Sequence, residues 1–172
     1  MEPLFINNFT HSKEMYIEMN KAYSFVSRLI FQIAVAVIYG FLAVLLFFYY
    51  GNYFSGAAIV LVGVFLFFYP LINTRIHAKK REKQLVELFG ELPSAQNLFF
   101  DGHLLSISSA DKSELRIEYD KIIKVRQSKN LYLLIMKQKL VIMVDKNRFE
   151  KGSCEEFEQF IKSKAVNAKI KL

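Results

Sequence analysis

Two uncharged stretches set almost end to end constrain this chain more than any other feature. Leu29 to Tyr50 is 22 residues without Asp, Glu, Lys or Arg, and 14 of them are Leu, Ile, Val or Phe. About 20 helical residues cross a hydrocarbon core of about 30 Å. Such a composition favours insertion even with Gln32 inside the run. A second uncharged run, Tyr53 to Ile72, follows after only Gly51-Asn52, a link that forces an antiparallel return. The spacing predicts a transmembrane hairpin over residues 29–72, with spans at about 29–50 and 53–72. A cleaved signal peptide fits poorly, since its apolar run lies nearer Met1 and no second span follows it. A hairpin buried in a soluble protein needs more surrounding chain to cover it.

Charge placement supplies the orientation. Lys13, Lys21 and Arg28 precede the first run, none lies in the turn, and Arg75, Lys79, Lys80, Arg81 and Lys83 follow the second. Lys and Arg concentrate on the cytoplasmic side, so both termini are expected in the cytoplasm and the chain in the cytoplasmic membrane as a two-span protein. Tyr49, Tyr50, Tyr53 and Phe54 at the outer turn and Tyr69 near the inner end match the aromatic belts of the two interfaces. Of the net charge of +7, residues 73–92 carry +2 and residues 93–172 carry +5. With a bilayer adjoining, lipid headgroups are the nearer polyanion and nucleic acid is not expected as a partner.

The flanking segments read as helices. Residues 1–28 form a cytoplasmic N-terminal segment in which Met15, Tyr16, Met19, Tyr23 and Val26 recur at spacings of three and four after Ser12, predicting an amphipathic helix that rests on the inner surface or on the soluble domain. Over residues 73–92 a basic juxtamembrane helix continues the second span. Arg75, Lys79 and Lys83 share one face of it, and with Lys80 and Arg81 they are candidate contacts for anionic lipid. Leu85, Leu88, Phe89 and Leu92 form an apolar stripe expected to pack on the following domain, and Gly90 and Pro93 end the helix. In the first span Ala36, Gly40 and Ala43 are candidate helix-packing residues, within the hairpin or in a homo-oligomer.

From Pro93 the period becomes alternating. Asn97–Phe100 and Leu104–Ser108 flank Asp101-Gly102, a pair suited to the positive φ of a tight hairpin turn. Glu114–Asp120 places Leu115, Ile117 and Tyr119 on one face. Lys121–Gln127, Leu131–Met136 and Leu140–Val144 follow, with turns at Ser109–Ser113, Ser128–Asn130 and Lys137-Gln138-Lys139. Ser153-x-x-Glu156 is a capping box opening a helix with Phe157, Phe160 and Ile161 on one side. The fold class is α+β: a two-helix hairpin, then a small antiparallel sheet or barrel over residues 93–172 capped by a C-terminal helix, the plan of pleckstrin-homology-like domains.

The chain also resembles the YcxB-like membrane proteins of bacteria. The likeness rests on the order Phe99-Phe100-Asp101-Gly102, Leu115 to Tyr119 leading into Lys121-Ile122-Ile123-Lys124-Val125, Leu131-Tyr132-Leu133, Val141 to Lys146 with Phe149, and Glu156-Phe157. It departs from the family's Pro-Lys tendency at Asp145-Lys146. The resemblance implies two membrane helices before a pleckstrin-homology-like domain, and no reaction.

Nothing in the residues spells out chemistry. His11, His77 and His103 fall in separate segments without a second ligand at metal spacing, and no phosphate-cradling glycine loop or nucleophile elbow occurs. Asp101 beside His103 reads as a solvated hairpin end. At the start of the last helix, Cys154 has Glu155 and Glu156 opposing the helix dipole that would activate a thiol. No cofactor, metal or catalytic residue is expected. The expected function is a membrane-tethered binding or scaffold module that meets membrane lipids and a protein partner. The alternative is a small oligomeric channel or transport-associated subunit built around Gln32.

Overall fold

The computed structural model describes residues 2–51, 53–110, 112–137 and 140–171. Asn52, Asp111, Gln138 and Lys139 therefore leave the expected turns at 51–52, 109–113 and 137–139 partly outside the described residues. The chain divides into two units, one of Ser24–His77 and one of Met1–Tyr23 with Ala78–Leu172.

In the first unit, α2 (Phe25–Val44) runs into a π-helical turn, Leu45–Tyr49, and α3 (Tyr53–Phe89) begins just beyond. Both are long and apolar enough to cross a membrane, and only 11 % and 6 % of their most apolar windows are buried, unlike a soluble protein's core helix. α2 starts at Phe25, not Leu29, and takes in Arg28. Pro70 lies inside α3 and, lacking an N–H, leaves Leu66 O without its helical donor. One residue on, Phe67 O accepts from Gln32 Nε2 at 3.1 Å, and Thr74 Oγ1 donates to Pro70 O at 2.7 Å. The helices meet closely where side chains are missing: a Cβ on Gly63 would stand 2.8 Å from Tyr39 Cβ, and one on Gly56 would stand 3.0 Å from the Phe47 ring.

The second unit is built from two sheets. The N-terminal segment opens with a strand, β1 (Phe5–Thr10), followed by α1 (Lys13–Tyr23). After the hairpin come β2 (Ser94–Phe99), β3 (His103–Ser108), β4 (Glu114–Glu118), β5 (Ile122–Gln127), β6 (Leu131–Met136), β7 (Val141–Asp145), β8 (Phe149–Lys151), α4 (Cys154–Lys164) and β9 (Lys169–Lys171). The described strands pair as β4-β3-β2-β1-β8 and β7-β6-β5-β9, antiparallel throughout except β5 with β9.

β6 is buried at every position because each of its faces meets a core. Tyr132, Leu134 and Met136 join Phe5, Phe99, Leu104, Ile122 and Val125 in the interior, where α4 inserts Phe157 and Ile161. Phe157 lies edge-on to Phe99 at 4.8 Å and to Phe5 at 5.6 Å. Leu131, Leu133 and Ile135 face the other way, onto Phe9, Tyr16, Ala78 and partly buried Leu85. α1 therefore rests on the sheet. α4 opens with the expected capping box: Glu156 N donates to Ser153 Oγ at 3.3 Å and Ser153 N to Glu156 Oε2 at 3.0 Å.

Several expectations need correction. The helix after the hairpin packs through Ala78, Arg81 and Leu85, whereas Leu88 and Phe89 are exposed; one helix presents one stripe, and Tyr16 selects that of Arg81. Gly90 ends the helix in the left-handed region, φ 79°. Asp101-Gly102 takes no positive φ, because the Tyr119 hydroxyl sits between Phe100 O (2.7 Å) and His103 O (3.1 Å) and holds the loop open. Leu115 is 40 % exposed while Ile117 and Tyr119 are buried; β4 is the last described strand on its side of the sheet.

Candidate functional site

Leu115 leads to a cleft. Among the described strands β4 pairs only with β3, so it is an edge of the five-stranded sheet. Between it and the β6–β7 hairpin opens a cleft of about 710 Å³ lined by Leu115, Arg116, Ile117, Glu118, Asp120, Lys121, Met136, Lys137, Leu140 and Asn167. Leu115 and Leu140 are 40 % and 39 % exposed, two apolar contacts inside a charged rim. On that rim Lys121 lies 3.1 Å from Asp120 and 3.8 Å from Glu118; the hydrogen bond to Asp120, then the two carboxylate charges, raise its pKa and keep it cationic. An apolar centre with a mixed-charge border is suited to binding. Leu115 also lines a smaller cavity of about 190 Å³ against β7.

The edge of β7 is closed by side chains. Asn7 Nδ2 donates to Asp145 O at 2.7 Å and its Oδ1 accepts from Asp145 N at 3.0 Å. Asn97, its register partner on β2, donates to Met143 O at 2.8 Å and accepts from Ser106 Oγ. Both amides are buried, at 0 % and 1 % exposure, and they tie one sheet to the other.

The basic residues singled out after the hairpin divide. Arg75, Lys79 and Lys80 are exposed. Lys83 pairs with Glu87 at 3.5 Å, both well exposed, and Arg81, also exposed, lies over the Tyr16 ring, 4.8 Å from its centre. A second cationic group escaped the sequence. Parallel pairing of β5 with β9 sets Lys124 beside Lys169 and Arg126 beside Lys171, on the side opposite buried Val125. These residues are far apart in the chain and only the register unites them.

Ala36 and Gly40 are exposed and only Ala43 of that trio is buried. On the other helix Gly56 and Gly63 come against Phe47 and Tyr39, and Tyr39 precedes Ala43 by one turn on the same face of α2. Asp101 pairs with Lys164 at 2.7 Å, while His103 stacks on Phe100 and has Arg116 3.5 Å from its Nδ1. His77 is exposed. His11 stacks on Tyr16 with ring centres 5.4 Å apart, and its Nδ1 is buried without a partner among the described residues. Burial, then the Arg81 charge, lowers its pKa from 6.5 to about 4. The Cys154 thiol donates to Lys146 O at 3.0 Å, and burial pushes its pKa up. Among the described residues no three His, Cys, Asp or Glu side chains gather as metal ligands do.

No curated protein and no solved structure matches the chain. Residues 100–161, which run from the β2–β3 loop into the buried face of α4, match the family described as YcxB-like protein. Over that segment the chain is similar to YcxB-like proteins, the family that the order of its residues resembles.

Proposed function

We propose that the chain is a membrane-tethered binding module of pleckstrin-homology-like plan, held at the inner face of the cytoplasmic membrane with both termini cytoplasmic. Tyr23 and Ala78 belong to one unit, which fits a hairpin that leaves and returns on a single side, and the Lys and Arg flanking the hairpin fit the cytoplasmic side. Tethering raises the concentration of the module near partners on the same membrane. The observation that carries this reading is the cleft beside β4. An extended segment of a partner protein pairs with the free edge of β4 and sets an apolar side chain between Leu115 and Leu140, in the manner of strand addition.

A photoreactive residue at Leu140 of the full-length protein tests it in cells. One discrete adduct is expected, abolished by Leu115→Asp, an exposed position where folding is not at stake. An adduct indifferent to Leu115→Asp, or equally strong from exposed Val166, overturns the reading.

A further inference from the structure

The cationic group on β5 and β9 has a second property beyond its charge. Arg126 Nη1 donates to Tyr23 O at 3.1 Å and also to Ala22 O, the last carbonyls of α1. The guanidinium is thereby fixed at the negative end of that helix. Tyr23 stands two residues before Phe25, where the first apolar helix begins. Lys124, Lys169 and Lys171 continue the same face outward, and among the described residues no salt bridge engages any of the four cations. Arg126, partial burial, Lys169 and Lys171 together lower the pKa of Lys124, as like charges crowded together do. Such a cluster draws in an anion.

We propose that Lys124, Arg126, Lys169 and Lys171 form a docking surface for the phosphate-bearing headgroups of anionic lipids in the membrane that holds the hairpin. This rests on the tethered reading above. Headgroups supply negative charge complementary to this face, and Arg126 binds the chain only two residues before the first apolar helix. Each lysine near an anionic leaflet gains attraction that falls away within a Debye length.

Lysine acylation read by mass spectrometry tests the surface on the intact wild-type chain, reconstituted in phosphatidylcholine vesicles with or without phosphatidylglycerol. Labelling of Lys124, Lys169 and Lys171 is expected to fall about fivefold in the anionic vesicles, with Lys112 and Lys162 unchanged. Equal labelling in both vesicles overturns the proposal. Equal protection by inorganic phosphate in neutral vesicles overturns it in favour of a soluble phosphate ligand. Flotation of the same samples separates failure of the tether, where the protein leaves the vesicles, from failure of this face.

Discussion

At single residues, the buried amides of Asn7 and Asn97 bond the β7 backbone where a neighbouring strand would otherwise lie. Truncating either leaves main-chain groups without a partner or water, so Asn7→Ala and Asn97→Ala are each expected to cost about 2–3 kcal/mol in chemical denaturation. Gly152 is constrained differently: its φ is 86°, and a Cβ there would run into the Phe5 ring. Gly152→Ala should destabilise by about 2 kcal/mol or more in the same assay, through strain and displaced core packing. His11 sets a pH dependence. Its folded pKa of about 4 lies below the ordinary 6.5, so between those values the unfolded chain binds the extra proton. Stability is then complete above about pH 6.5 and declines as pH falls toward 4, by roughly 2 kcal/mol given its partial exposure. His11→Gln should flatten that part of the profile.

Among elements, the hairpin depends on Gly63 and Gln32. Gly63→Val forces a side chain onto Tyr39 and should lower the melting temperature of the detergent-extracted protein. Gln32→Leu should cost about 1 kcal/mol, the usual scale of one interhelical hydrogen bond in lipid, read as faster proteolysis of the loosened hairpin. These elements also show what a sequence reveals. The apolar helices, the central strands and the capped α4 were legible because charge gaps, alternation and Ser153-x-x-Glu156 are local. β1 was not, since Asn7 stands in the middle of its buried face between Phe5 and Phe9 and breaks the apolar alternation. β9 offers a single inward apolar residue, Ile170. The cleft and the cationic face arise from which strands become edges or neighbours, a long-range outcome that no local pattern encodes.

For the whole molecule, β1 and α1 belong with the residues after the hairpin and not with the hairpin itself. β1 sits between β2 and β8, and α1 covers Leu131, Leu133 and Ile135 of β6. A fragment of residues 93–172, the expected cytoplasmic domain, lacks both. It should give poorly dispersed NMR spectra and rapid proteolysis, and adding residues 1–23 in trans should restore protection. Unaltered order in the fragment alone would contradict this.

The hairpin is therefore an insertion within one folded unit, and that arrangement dictates a sequence of events during synthesis. The first strand leaves the ribosome early and waits, unpaired, while the two apolar helices are made. Only afterwards do its two neighbours emerge. Completion of the sheet thus comes after synthesis of both apolar helices, which sit on the connection joining the two halves of one β-sheet.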